Sequence, residues 1–514
     1  MFSKVKSCAV HGVDGRMIDV EADVNDGLPV FTMVGYLSSS VREASERVRT
    51  ALKNSGFHLP PKRITINLSP ADMRKDGSGY DLAIATAVLL SLGVTAELPM
   101  EQTLVLGELS LDGSIKAIPG VLPMVICARE EGMTSCIVPK ENVQEAALVQ
   151  GISVIGVSSL QETMEYIQGI KEYENTNVEQ PAVDTSEYLY DIDFSDVVGQ
   201  ESIKRGMEIA AAGFHNVLLT GAAGAGKSML AKRLPTILPQ MSFEESLEVT
   251  KIYSVGGMLP PEGGLIHRRP FRAPHHTISE YALIGGGRVP TPGEVSFAHY
   301  GVLFLDELPE FSKPVLEVLR QPLEDRRIRI SRVQASYEFP ADFMFVAAMN
   351  PCPCGNYPDY RRCSCTEQQI RRYQSKVSGP MLDRIDIRME VKGVKQEALF
   401  SKQKTESSKT IRARVEQARQ MQKERFAGTG LLFNSQLDGK NLEEYITLSA
   451  EGKRLVLQLF EEQELSVRGV HRVLKLARTI ADLAGSEEIE NAHLQEAAFY
   501  RNQDVFAKEV LYGN

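Results

Sequence analysis

The chain has 514 residues and a formal net charge of −10. At about 150 residues per domain that length predicts roughly three domains, and a composition of 43% hydrophobic and 24% charged residues excludes a largely disordered chain. Trp is absent and aromatics reach only 7%, which argues against a sugar-binding or aromatic-cage module. The acidic balance excludes a protein that coats DNA through bulk charge, while leaving room for a local basic channel.

In chain order, residues 1–170 mix short β-like runs (64–68, 103–106, 136–138 and 153–157) with helical stretches over 38–54, 81–92 and 119–132. That pattern predicts an α/β or α+β domain. The opening MFSKVKSCAVHGVDG has no apolar stretch of signal-peptide type. The longest apolar run, 82–90, is far short of the ~20 residues a membrane span needs. A soluble, cytoplasmic protein without a membrane partner is expected. The polar, acidic stretch 171–187 predicts a linker. Residues 188–395 then read as helix, apolar strand (217–220), Gly-rich turn and helix, followed by apolar strands at 302–305 and 343–347. Alternation of this kind implies an α/β fold built on a mostly parallel sheet with crossover helices. Residues 396–514 read as helical.

Within the second region, GAAGAGKS (221–228) fits GxxxxGK[ST] between a strand and a helix. Gly221, Gly224 and Gly226 let backbone N–H groups wrap phosphates, Lys227 reaches the β- and γ-phosphates of ATP, and Ser228 ligates Mg2+. A Gly-rich turn without a ligand is the competing explanation, which the flanking strand and helix disfavour. Asp306 and Glu307 end the strand VLFL, the first suited to the Mg2+ shell and the second to polarising water. The strand FMFVAAMN delivers Asn350, a polar group that can orient the water or sense the γ-phosphate. Arg384 lies in a polar turn before a further strand and could complete a neighbour's site, or could form only a salt bridge with Asp383 or Asp386.

Four of the seven cysteines, Cys352, Cys354, Cys363 and Cys365, form CxC-x8-CxC with turn residues between the pairs. Soft thiolates in this grouping suit Zn2+ first and an iron–sulfur cluster second, against four unliganded thiols. The loop directly follows Asn350, which suggests that it braces that segment or a contact between subunits. Basic clusters occur at Arg268, Arg269 and Arg272, at Arg326, Arg327, Arg329 and Arg332, and at Arg361, Arg362, Arg371 and Arg372. Segment 401–425 carries eight Lys/Arg against three Glu. Each cluster is either a phosphate track or a solvated face. His275 and His276, being adjacent, are expected to face different ways and to serve loop hydrogen bonding rather than metal.

The strings RPFRAPHH (269–276), PGEVSFAHYGVLFLDELPEF (292–311), AAMNPCPCG (347–355) and SGPMLDRIDI (378–387) resemble the YifB/ComM family of magnesium-chelatase-like AAA+ ATPases, and the resemblance runs essentially end to end. It implies a ring, usually a homo-hexamer, with ATP between subunits. Lys227 and Ser228 become Walker A, Asp306 and Glu307 Walker B, Asn350 sensor 1 and Arg384 the arginine finger. Arg468 becomes the sensor 2 arginine, with Arg472 its competitor one helical turn on, and Val198-Gly199-Gln200 resembles the segment beside the adenine. In related helicases the segments matching 256–276 and 326–337 project into the pore.

Residues 1–170 resemble a Lon protease domain of the ribosomal S5 domain 2-like α+β class through Lys75-Asp76-Gly77, GELSLDGSIKAIPG (107–120) and VPKEN (138–142). Aligned on those strings, the nucleophile position holds Gly79 and the base position Leu122, so an inactive domain is expected; Ser78 is one residue off. The family resemblance implies an ATP-driven motor on single-stranded or branched DNA, promoting branch migration in recombination or transformation. One rival is a protein-remodelling ATPase with the Lon-like domain as adaptor, although no Tyr-Val-Gly-type pore loop stands in 240–300. A metal-inserting chelatase subunit is the other, although its integrin-like DxSxS partner string is missing.

Overall fold

A computed structural model describes residues 1–96, 99–171, 190–260, 264–332, 335–393 and 405–501. Most of the expected linker 171–187 lies outside the described residues.

The N-terminal domain is built on a seven-stranded mixed sheet in the order Phe31–Val34, Arg63–Ser69, Asp14–Asn25, Phe2–His11, Thr103–Val105, Ser135–Pro139, Ser153–Val157. Its longest pair, Phe2–His11 against Asp14–Asn25, was not among the sequence-predicted strands. The second of these buries Ile18, Val20, Ala22 and Val24 at every other position, the mark of a sheet with one face in the core. Charged residues fill the alternate places (Asp19, Glu21, Asp23) and mask the apolar signal. The expected helix 38–54 is two helices, Ser39–Arg42 and Ala44–Asn54, broken at Glu43. Asp81–Ser91 is buried almost all round, as its continuous apolar sequence demands.

The core domain carries a five-stranded, all-parallel sheet in the order Phe271–Arg272, Val302–Leu305, Met344–Met349, Val217–Thr220, Ile387–Glu390. The third strand runs to Met349, two residues past the expected end. Every residue of Val217–Thr220, Val302–Leu305 and Met344–Met349 is buried, consistent with central strands covered on both faces. The C-terminal region is helical as expected, with Ser408–Arg425, Gly439–Tyr445, Ala450–Glu462, Val467–Leu483 and Asn491–Arg501. Among the described residues no helix is long and apolar enough to cross a membrane.

The N-terminal domain docks on helix Phe243–Val255 of the core. Gly120 N–H donates to Ser254 O at 3.0 Å, and Lys251 pairs with Asp14 at 3.0 Å. Buried Glu145 accepts Leu122 N–H at 2.8 Å and the Ser254 hydroxyl from across the seam. Burial raises the Glu145 carboxyl pKa, and these donors oppose the rise. His11 stacks on Tyr337 of the hairpin Arg327–Ser331/Ser336–Pro340 with centroids 4.5 Å apart.

Candidate active site

Val302–Leu305, Met344–Met349 and Val217–Thr220 are neighbours and parallel, so their C-terminal ends open onto one crevice, where ligands of open α/β sheets bind. The loop leaving Val217–Thr220 passes through φ of +77° at Gly224 and +94° at Gly226, angles that residues bearing a Cβ rarely adopt. At Gly221 a Cβ would stand 2.2 Å from Val391 O. Lys227 then opens helix Lys227–Arg233.

In this arrangement Lys227 Nζ donates to Gly221 O (2.7 Å), Ala222 O (2.9 Å) and Asn350 Oδ1 (3.0 Å). Ser228 Oγ donates to Asp306 Oδ2 at 2.6 Å, and Glu307 N–H to Asp306 Oδ1 at 2.9 Å. Burial lowers the Lys227 pKa, while Asp306 and Glu307 pull the other way. Lys227, Ser228, Asp306 and Asn350, picked from three separate sequence strings, are thus linked by hydrogen bonds. Glu307 is exposed at a left-handed φ of +53°, its carboxylate free to face the crevice. This geometry offers one ammonium, a hydroxyl–carboxylate pair able to hold a divalent cation, and a second carboxylate able to take a proton from water.

Arg384 and Arg468 stand apart from this group. Arg384 is 6% exposed; it donates to Pro380 O at 2.6 Å and pairs with Glu324, not with the expected Asp383 or Asp386. Asp386 is taken by Arg472, which removes Arg472 to a structural role in this conformation, while Arg468 is exposed in the first turn of Val467–Leu483. Although burial pushes the other way, the Arg472 guanidinium and His215 hold the Asp386 carboxyl well below the usual range. Gln200, beside Gly199 (φ +64°), reaches Lys392 O.

Sequence reasoning missed His276, whose Nδ1 lies 3.9 Å from Glu307 Oε2. Its ring is 4.1 Å from that of His275, centroid to centroid, so the two pack together instead of facing different ways. The loop-bonding expectation stands for His275, whose Nδ1 meets Thr277 Oγ1 at 2.9 Å. The string RPFRAPHH contains His276 but does not reveal its neighbour, since it is the strand order that brings 271–276 beside 302–307.

Several basic residues prove structural. Arg269 is buried and donates to Pro239 O, Tyr300 O and Glu245, and Arg272 forks onto Glu294 with both contacts at 2.6 Å. Within 405–425, Arg414 serves Glu208 and Glu406, Arg419 covers the Phe433 ring and Arg425 serves Asp482. Residues 401–404 lie outside the described residues. Arg327 and Arg329 remain exposed on the hairpin Arg327–Ser331/Ser336–Pro340 and share one carboxylate, Glu338. Arg361, Arg362, Arg371 and Arg372 are also exposed.

The four loop cysteines converge. Sγ–Sγ separations are 3.4 Å (Cys352–Cys354), 3.8 Å (Cys352–Cys363) and 3.6 Å (Cys354–Cys363), and all four sulfurs lie within 4.8 Å of one another. A tetrahedral ion with metal–sulfur bonds of about 2.3 Å spaces its sulfurs about 3.8 Å apart. The Asn356 N–H holds the Cys354 thiol down to about 6. Against a lowering contact from the Cys365 backbone, burial with Cys354 and Cys352 pushes Cys363 up to about 12. Four thiols this close ionise together only around a cation, so the donor set fits a soft metal.

At the Lon-like cleft the two aligned positions have apolar surroundings. A Cβ on Gly79 would meet Ile118 Cδ1 at 3.1 Å, and Leu122 is fully buried in an apolar cluster. Ser78 bonds to Glu108, while Lys75 is buried and turned to Pro70 O. A cavity of about 370 Å3 remains beside it, lined by Met73, Tyr80, Ile118, Met124, Val255 and Tyr337 among others.

Comparison with known proteins matches this division. The family described as "Magnesium chelatase, subunit ChlI" covers residues 193–399, "Subunit ChlI of Mg-chelatase" covers 20–142, and "Magnesium chelatase, subunit ChlI C-terminal" covers 405–501. The chain is 41% identical to the uncharacterized protein YifB of Escherichia coli over 504 residues, 98% of this chain and 97% of that one. It is also 41% identical to the competence protein ComM of Haemophilus influenzae over 503 residues, 97% of each. Lon protease 2 of Bacillus subtilis is 30% identical over 183 residues, 32% of each chain. With its Lon-like domain, parallel-sheet ATPase core and helical C-terminal region, the chain belongs to the YifB/ComM family of magnesium-chelatase-like AAA+ ATPases, whose architecture implies ATP, Mg2+ and oligomeric assembly.

Proposed function

We propose that this protein is a cytoplasmic ATP-driven hexameric ring that grips single-stranded or branched DNA in its pore and promotes branch migration during recombination or transformation. The observation that carries the reading is the hairpin Arg327–Ser331/Ser336–Pro340, where Arg327 and Arg329 lie exposed with a single carboxylate between them. That leaves net positive charge on the hairpin of a chain whose total is −10, as a phosphate-tracking element requires. The competence role printed for the Haemophilus relative lends support.

In the catalytic cycle, Lys227 leaves Gly221 O, Ala222 O and Asn350 to neutralise the β- and γ-phosphates. Ser228 and Asp306 hold Mg2+, which supplies charge stabilisation to the phosphoryl group. Glu307 takes the proton of the attacking water, and Asn350 orients that water. Arg384, once released from Glu324, reaches a neighbouring subunit's ATP, and Arg468 senses nucleotide from the helical C-terminal region. The four thiolates hold Zn2+. The Lon-like domain serves binding or assembly, without proteolysis.

ATP turnover measured alone and with single-stranded DNA, duplex, a four-way junction or unfolded protein tests the reading, with Glu307→Gln as control. Several-fold stimulation, strongest with the junction, is expected. No response to any DNA together with stimulation by unfolded protein would overturn it in favour of a remodelling ATPase. That second reading draws on the cavity between the Lon-like domain and the hairpin, lined by apolar side chains together with His11, Arg74 and Asp76 and large enough for a peptide side chain.

A further inference from the structure

Segment 351–366 contains no Leu, Ile, Val, Met or Phe. It cannot build an apolar core of its own, and a cross-link through its cysteines is what can fix its shape. The loop is nevertheless seated directly on the nucleotide site. Gly355 turns at φ +79°, and a Cβ built there would stand 3.4 Å from Ala223 N, 3.5 Å from Ala223 Cβ and 3.9 Å from Asn350 Cγ. Gly355 N–H is held by Cys352 O at 3.0 Å, Tyr357 N–H points to Cys352 Sγ at 3.4 Å, and Gln374 clasps Pro351 O at 3.0 Å. A short path therefore runs from the thiolates through Gly355 to the phosphate loop, and through Cys352 and Pro351 to Asn350, which accepts from Lys227.

We infer that the four-cysteine centre is a metal-dependent positioning device for ATP hydrolysis, in which a bound thiolate-seeking divalent cation presses Gly355 against Ala223 and fixes Asn350. This rests on reading the four thiols as a metal site and is independent of the polymer on which the ring acts. The phosphate loop keeps its own shape through Gly221, Gly224 and Gly226, so loss of the cation leaves nucleotide binding largely intact. Asn350, two residues from Cys352, loses its anchor, and turnover falls. The exposed tip at Tyr360, Arg361 and Arg362 stays available for other contacts, so bracing does not compete with them.

The test uses the full chain, supplied with Zn2+ alone and assayed without DNA. Bound metal is counted by atomic emission, turnover by phosphate release and affinity with a fluorescent ATP analogue. Wild type is expected to hold one ion per chain. Cys363→Ser is expected to lose it, with kcat down about tenfold or more and nucleotide affinity within about threefold, the range typical of groups that orient an active site from behind. Gly355→Ala keeps all four thiols and the ion, yet an alanine is strained at the φ of +79° this turn requires, so the seat on Ala223 and Asn350 shifts and kcat falls as well. A wild type that binds no Zn2+ overturns the metal reading and the inference with it. Metal lost from Cys363→Ser with kcat unchanged overturns the positioning role alone. Should Cys363→Ser misfold, Gly355→Ala with its ion in place and wild-type kcat overturns the positioning role in the same way.

Discussion

Two glycine-bearing loops can be set side by side. One, 221–228, runs into helix Lys227–Arg233; the other, 75–79, leads to helix Asp81–Ser91. In the first, the polar groups satisfy one another: Lys227 on Asn350, Ser228 on Asp306. In the second, the corresponding positions are flanked by carbon, Ile118 standing close to Gly79 and Leu122 lying in an apolar cluster. Two loops of similar make-up thus present opposite surroundings, because a fold needs only burial to persist while function lives in particular side chains.

The sharpest way to separate the two regions is to remove one carboxylate from the living site. Glu307→Gln is expected to lower ATP turnover about 10²–10⁴-fold with nucleotide binding retained, read by phosphate release and analogue fluorescence. Next comes Asp386→Asn, which strands the Arg472 guanidinium and is expected to cost about 3–5 kcal/mol at pH 7 in urea denaturation. The folded carboxyl lies below its unfolded value, so its contribution is complete above about pH 4 and fades as pH falls further. Wild type and variant should therefore converge in acid; a gap that stays constant down to about pH 3 would break the assignment. At the Lon-like cleft, Gly79→Ser with Leu122→Lys is expected to yield no peptidase activity, since the new ammonium enters an apolar cluster without a partner. Its melting temperature should drop, by about 2–4 °C per kcal/mol lost. Casein or peptide cleavage above background would show that the cleft is still competent. The smallest effect belongs to the seam: Ser254→Ala removes one donor from buried Glu145, costs about 1–3 kcal/mol, and should appear as faster hydrogen exchange at 118–125.

The parts legible in the sequence were those where chemistry demands fixed residue types at fixed spacing. Lys227, Ser228, Asp306 and Asn350 come together in the fold, as do the four cysteines, where their spacing raised the expectation of phosphate and metal sites. Arg269 and Arg272 were ambiguous, since a cation that holds Glu294 or a buried carbonyl reads the same in one dimension as one that holds phosphate. His276 lies in the string RPFRAPHH, but it meets Glu307 only through strand order. The pair Phe2–His11 and Asp14–Asn25 went unread because alternating charge on the outer face diluted the apolar signal of the inner one.

The hairpin that carries Arg327 and Arg329 is fixed at more than its base. Phe339 is fully buried at the root, Tyr337 near the turn stacks on His11, and Arg332 beyond it reaches Gly287 O at 3.1 Å. Such an element is a beam propped close to its free end rather than a cantilever. It cannot swing alone: any stroke of its tip drags the Lon-like domain along or breaks the aromatic prop. Load applied to the hairpin is thereby shared with the Lon-like domain through the His11–Tyr337 stack.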